Sequence, residues 1–226
     1  FINHIGPFAF SDCESILEFE IPDDSNLISI GKNAFSGSSI RNLTIPSKLV
    51  DLKDEWCRGL KNLFIITVSP MNKRYTILDE DLILGKSSYE QDNFDVLVFC
   101  ARDIEFIKIP SFIKHIGPFA FNRCEMLDYV EFSTDSKLET IDKFAFCCSS
   151  IKEIRIPSSV KLIGEQAFSN CLYLKKVEFE TNSNLQTICN SAFFRAWIDK
   201  ITFPSSITQF EKNVFPVPSS PLRVIT

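Results

Sequence analysis

The side chains of this chain that could do chemistry belong mainly to two histidines and eight cysteines. His4 and His115 have the same surroundings, because the heptapeptide HIGPFAF occurs at residues 4–10 and again at residues 115–121. Neither histidine lies beside a serine or cysteine motif, so no nucleophilic triad can be assembled around it. Each stands alone in its copy of the motif, unlike the clustered ligands of a metal site. We therefore predict structural histidines, no catalytic residue and no enzyme.

The cysteines follow a positional rule. Cys13, Cys124 and Cys171 each come four residues after an alanine of a repeated Ala-Phe pair, in a slot that suits a small buried side chain. This spacing predicts free buried thiols, and a disulfide that involves Cys147 or Cys148 stays open as the alternative. No CxxC pair with zinc spacing occurs, and the acidic runs lack the spaced oxygen ligands of a calcium loop. We predict no metal and no cofactor.

Composition and charge exclude several classes of partner. The net charge of -5 is spread over mixed acids and bases, so the basic stripe of a nucleic-acid-binding protein is missing. No run approaches 18 consecutive apolar residues, so no segment is predicted to insert into a membrane. Asn42-Leu43-Thr44 is a glycosylation sequon, which makes Asn42 a candidate glycosylation site if the source is a eukaryote.

The elements that must position these residues repeat every 22 to 25 residues. Ala-Phe pairs start at Ala9, Ala34, Ala120, Ala145, Ala167 and Ala192, and Trp56-Cys57 and Val214-Phe215 are degenerate copies. An apolar triplet follows each pair, and its last two members alternate with polar residues, as in a short half-buried strand. The triplets are Ile16/Phe19/Ile21, Ile40/Leu43/Ile45, Leu63/Ile66/Val68, Ile104/Ile107/Ile109, Leu127/Val130/Phe132, Ile151/Ile154/Ile156, Leu174/Val177/Phe179 and Ile198/Ile201/Phe203.

Such a period predicts a solenoid with one short strand per coil, in which the strands form a parallel sheet. The Ala-Phe segments on the other side are predicted to form loops and single helical turns. Alanine suits the close coil spacing of about 4.8 Å, and the phenylalanines are predicted to stack into one column: Phe10, Phe35, Phe121, Phe146, Phe168, Phe193 and Phe215. The whole chain, residues 1–226, is predicted to be a single domain of about eight to nine coils.

The unit IGEQAFSNCLYLKKVEF is similar to the BspA-type leucine-rich repeats of surface proteins in host-associated bacteria and parasitic protists. This resemblance covers essentially the whole chain and implies a right-handed leucine-rich-repeat solenoid. Because FINHIGPFAF at residues 1–10 matches FIKHIGPFAF at residues 112–121 but lacks the strand that precedes the second copy, we expect the chain to be a fragment of a longer array. The irregular unit, about residues 69–103, carries a 17-residue insertion that resembles a hairpin insertion of that family and is predicted to be a hairpin or loop.

The resemblance also implies a function. It implies a secreted or cell-surface adhesin whose non-catalytic module binds host extracellular-matrix or cell-surface proteins through the concave sheet. A structural module that self-associates, for example end to end, is the alternative. Binding residues are expected among the outward strand positions, where an apolar cluster has a charged rim: Ile65, Phe106, Lys108, Tyr129, Glu131, Glu153 and Arg155. The competing interpretation is that the insertion folds over the apolar residues and buries them.

Overall fold

A computed structural model describes residues 2–215 and 223–225, and it contains strands and turns but no helix within those residues. The chain forms two compact units, Phe1–Asp103 and Ile104–Thr226. Each unit is a β-solenoid with parallel sheets, as the repeat predicts. That the chain is a single domain stays a prediction.

Within residues 2–103, the first unit contains eight strands, three of them only two residues long. They are β1 (His4–Ile5), β2 (Ser29–Ile30), β3 (Asn42–Ile45), β4 (Asp51–Leu52), β5 (Ile65–Val68), β6 (Tyr75–Leu78), β7 (Leu82–Gly85) and β8 (Val96–Cys100). Strands β1, β2 and β4 pair in parallel along one side of the coils, and β3 pairs in parallel with β5 along another. The inserted segment folds as an antiparallel meander of β6, β7 and β8.

One buried amide ties this meander to the coil before it. The Asn72 side chain donates hydrogen bonds to the carbonyl oxygens of Pro46 (2.7 Å) and Leu49 (2.8 Å). Its oxygen accepts hydrogen bonds from the backbone N–H groups of Arg74 and Tyr75, both at 2.8 Å. Because all of these partners are protein groups, the amide is satisfied without water.

The second unit has a more regular arrangement of two parallel ladders. Its strands are β9 (Phe106–Ile109), β10 (His115–Ile116), β11 (Tyr129–Phe132), β12 (Thr140–Ile141), β13 (Glu153–Ile156), β14 (Leu162–Ile163), β15 (Lys176–Phe179), β16 (Thr187–Ile188), β17 (Lys200–Thr202), β18 (Gln209–Phe210) and β19 (Arg223–Ile225). The odd-numbered strands form one sheet and the even-numbered strands a second one. The prediction of one strand per coil is therefore incomplete, since the coils from β9 to β18 each have two.

The prediction of helical turns at the Ala-Phe segments is wrong. Around the alanine of every Ala-Phe pair, the preceding residue and the third residue after it have positive φ, for example Gln166 (51°) and Asn170 (57°) around Ala167. A residue in this left-handed region breaks a right-handed helix. Alternate N–H groups instead donate to the next coil, as Phe168 does to the oxygen of Ala192 at 2.7 Å. The segments thus act as a third ladder between coils.

The strand predicted at Ile16/Phe19/Ile21 is also absent. The N–H of Phe19 donates to the side-chain oxygen of Asn42 (3.0 Å) in the next coil, so a backbone ladder does not form there. The predicted phenylalanine column is confirmed within each unit. Phe10 and Phe35 stack at 5.5 Å in the first unit, and in the second unit the ring centroids of Phe121, Phe146, Phe168, Phe193 and Phe215 are 4.7, 5.1, 5.2 and 5.8 Å apart in succession.

Candidate functional site

The outward face of the sheet in the second unit carries two aromatic side chains next to each other. Phe106 on β9 lies directly opposite Tyr129 on β11 in the parallel register. Val130, the residue after Tyr129 on β11, points into the core and is buried, whereas Phe106 is 54% exposed and Tyr129 is 44% exposed. Alternation along each strand therefore holds two large rings in solvent at adjacent positions.

Charged side chains surround this aromatic pair. Lys108 and Glu131 occupy the next outward positions of β9 and β11 and form an ion pair with 2.7 Å between Nζ and Oε1. Glu153 on β13 is opposite Tyr129 in the register, and Arg155 follows it on the same outward face. The Arg155 Nε lies 3.7 Å from Oε1 of Glu180, which belongs to the loop after β15. Exposed pairs of this kind contribute little stability, so a partner can displace them.

A shallow groove of about 500 Å³ runs along this face, and Phe106, Tyr129, Glu153 and Arg155 are among the residues that line it. It continues into a larger depression of about 1090 Å³ beside Lys176 and Lys200, with Arg155 lining both. Hydrogen bonding to Glu178 raises the pKa of Lys176, so this cation stays charged at neutral pH. The surface is open and elongated, which is better suited to a polypeptide than to a small enclosed ligand.

In the first unit, the outward residue Ile65 on β5 is 63% exposed. Burial under the insertion is therefore wrong for this residue, and the exposures of Phe106 and Tyr129 show that they are not buried either. Asn42 on β3 is half-buried, and its side-chain oxygen holds the N–H of Phe19. Its glycosylation stays a prediction.

Comparison with known proteins identifies the repeat. Residues 2–78 and 94–219 match the family described as BspA type Leucine rich repeat region, in six copies. The chain belongs to this family. No curated protein sequence matches the chain.

Several solved structures have the same fold as this BspA-type chain. A leucine-rich repeat protein from Eubacterium ventriosum is 22% identical with a TM-score of 0.67, over 96% of this chain and 67% of its own length. A leucine rich cell surface protein from Faecalibacterium prausnitzii is 25% identical with a TM-score of 0.53, over 79% of this chain and 57% of its own. Pneumococcal vaccine antigen PcpA is 18% identical with a TM-score of 0.63, over the whole chain and 65% of its own length. The chain thus spans about two thirds or less of these proteins.

The two histidines have equivalent positions in the BspA-type repeat. Nδ1 of His4 lies 2.8 Å from Oγ of Ser29, and Nδ1 of His115 lies 2.9 Å from Oγ1 of Thr140, in each case across the short-strand ladder. These contacts join neighbouring coils. Within residues 2–215 and 223–225, no three histidine, cysteine or acidic side chains converge in a way that could hold a metal ion. The described residues also include no helix with the length and apolarity needed to cross a bilayer.

No two of the eight cysteines of this BspA-type chain are joined by a disulfide in the structure, and Cys124 and Cys171 are fully buried. Burial raises the pKa of Cys171 to about 12. Sequence reasoning missed Glu180, whose Oε2 accepts a hydrogen bond from the N–H of Ser158 (3.0 Å) while Oε1 faces Arg155. Glu180 lies just past the strand, where a period-two pattern carries no information.

Proposed function

We propose that the outward sheet face around Phe106 and Tyr129 binds a protein, and that the chain is a non-catalytic binding module of a cell-surface adhesin. The observation that carries the proposal is the pairing of these two exposed rings on neighbouring strands, with charged side chains on either side. Aromatic anchors inside a polar rim are the usual composition of a protein-binding hot spot.

The chemistry of the face also indicates what kind of partner fits. Its outward charges nearly balance, with Lys108, Arg155, Lys176 and Lys200 against Glu131, Glu153 and Glu178. A strongly charged polymer would gain little from such a surface. A folded or extended extracellular protein with an apolar patch is the better match, and matrix or cell-surface proteins of a host are the partners we propose. The cell-surface description of the Faecalibacterium prausnitzii protein supports a surface location.

The test is binding of the purified chain to immobilised matrix and host-cell surface proteins, compared with a variant that carries Phe106→Ser and Tyr129→Ser. Loss of one hot-spot aromatic typically costs about 2 kcal/mol or more, or roughly a 30-fold weaker Kd. A matched control carries Tyr173→Ser and Trp197→Ser, because these side chains are 59% and 60% exposed but lie outside the strands.

Binding that only the first variant loses, with its melting temperature kept, supports the proposal. Equal loss in both variants means that the partner contacts the turns and contradicts the proposed site. If the unaltered chain binds none of these proteins and light scattering shows a molar mass that rises with concentration, self-association replaces adhesion as the proposed function.

A further inference from the structure

The thiols of Cys147 and Cys148 touch each other. Their Sγ atoms are 3.6 Å apart, although the residues are consecutive in the chain. Cys147 is 7% exposed, and Cys148 is half-buried, so solvent reaches Cys148 more easily. Consecutive side chains usually point apart, and the contact therefore needs a local cause.

The cause is the turn that every coil shares. Cys147 and Cys148 are the second and third residues after Ala145, and Cys148 has a φ of 61°. Two other coils show the same contact at these positions: Ser11 Oγ lies 3.2 Å from Asp12 Oδ2, and Asn170 Nδ2 lies 3.1 Å from Ser169 Oγ. In these three coils the left-handed residue thus turns its side chain onto that of its predecessor.

Hydrogen bonds to both neighbouring coils hold the backbone of this turn. The oxygen of Cys147 accepts from Arg123 N (3.0 Å) and from Asn122 Nδ2 (2.8 Å). The N–H of Cys148 donates to the oxygen of Ser169 at 2.9 Å. The two sulfurs are therefore held close to each other before any reaction, which is the arrangement of an attacking and a resolving thiol.

We propose that Cys147 and Cys148 form a reversible modification site for hydroperoxides, in which Cys148 attacks and Cys147 resolves. The Cys148 thiolate attacks the outer peroxide oxygen, the O–O bond breaks, and a sulfenic acid and an alcohol or water are formed. The Cys147 sulfur then attacks the sulfenic sulfur, and water leaves as the disulfide forms. The peroxide is reduced by two electrons, and the two thiols are oxidised by two.

The surroundings of Cys148 favour the reactive thiolate. The hydrogen bond with Cys147 and the charge of Arg123 lower the pKa of Cys148, whereas burial and the charge of Glu125 raise it. The resulting pKa of Cys148 is about 6. The same hydrogen bond and burial raise the pKa of Cys147, so that thiol stays protonated. Cys171, on the next coil, is protonated as well. Because consecutive Cα atoms are about 3.8 Å apart, less than most disulfides span, the product should be easily reduced.

The experiment exposes the reduced chain to one equivalent of hydrogen peroxide at pH 7, followed by alkylation and peptide mapping. Trypsin releases residues 144–152, which contain both thiols and no other cysteine. We expect this peptide to escape alkylation, to lack two hydrogen atoms, and to become doubly alkylated after dithiothreitol. Oxidation should slow by about tenfold at pH 5, as the thiolate fraction falls.

Three variants complete the test. Cys147→Ser and Cys148→Asn introduce the residue types that the next coil has at the equivalent positions, Ser169 and Asn170. Both variants should therefore fold, which circular dichroism checks. The first should stop at a sulfenic acid that dimedone traps, and the second should leave Cys147 reduced. Cys189→Ser, the control, should behave as the unaltered chain. The proposal would be overturned if peptide 144–152 stayed doubly alkylated while Cys13 or Cys189 was oxidised. Oxidation of Cys147 in the Cys148→Asn variant would overturn it as well.

Discussion

Replacing Phe146 by alanine tests whether the phenylalanine column is the main source of stability in the second unit. The Phe146 ring is fully buried, and it stacks at 4.7 Å on Phe121 and at 5.1 Å on Phe168, nearly parallel to both. Replacing a buried phenylalanine by alanine lowers the free energy of unfolding by about 3–5 kcal/mol, depending on how far the neighbouring side chains move into the cavity. Here the rings above and below belong to coils whose backbones are held by hydrogen bonds, so we expect about 4–5 kcal/mol.

Two further variants separate the components of this cost. Phe146→Leu keeps much of the apolar volume but removes two stacked pairs, each worth about 0.5–1.5 kcal/mol, so a loss of about 1–3 kcal/mol is expected. Phe112→Ala makes the same chemical change as Phe146→Ala at a side chain that is 46% exposed, and should cost less than about 1 kcal/mol.

The assay is urea unfolding followed by far-ultraviolet circular dichroism, with the free energy of unfolding obtained by linear extrapolation. An equal loss for Phe146→Ala and Phe112→Ala would refute the reasoning, because it would show that position in the column does not matter. Equal costs for the leucine and alanine variants would show that stacking, and not volume, accounts for the whole effect.

Three other substitutions have defined outcomes. Asn72→Ala removes four hydrogen bonds to backbone groups, each worth about 0.5–1.5 kcal/mol, and should lower the free energy of unfolding by about 2–6 kcal/mol in urea titrations. Gly164→Ala would place a Cβ 2.7 Å from backbone atoms of Asp142 and Lys143. This crowding should lower the free energy of unfolding by about 1–3 kcal/mol, which a lower melting temperature would reveal. Burial raises the pKa of Asp95, but hydrogen bonds from Ser87 and Gln91 lower it more, so the net shift is downward. The loop at 87–95 should therefore lose hydrogen-exchange protection as the pH falls below about 4, and Asp95→Asn should remove that dependence.

The sequence pattern was sufficient for the period, the core column and the outward register, because all three depend on side chains that recur at a constant spacing. It missed the second ladder, since a pair such as Thr187 and Ile188 is too short for an alternation to be recognised. It also missed the left-handed turns, where Phe144, Gln166 and Arg195 adopt a positive φ that their residue types do not signal.

For the candidate site as well, the sequence predicts some features and not others. The exposure of Phe106 and Tyr129 follows from their alternation with buried residues, and the sequence was enough to place them on one face. The contact of Cys147 with Cys148 depends on a left-handed φ, and nothing in the residue types indicates it. The missing first strand depends on one hydrogen bond, from Phe19 to the side chain of Asn42, which a pattern of apolar residues cannot reveal.

The ladders between coils have a mechanical consequence. In the second unit, the strand sheets and the turn segments all bind one coil to the next through parallel backbone hydrogen bonds, so a pull along the stacking direction stretches these bonds lengthwise. The force acts first on the coil at the end of the stack, and that coil detaches completely before the hydrogen bonds of the next coil are stretched. Each coil that detaches frees 22 to 25 residues, or about 80 Å of extended chain. A module built in this way lengthens in steps under force and absorbs work at every step, while the coils that remain keep their outward sheet face.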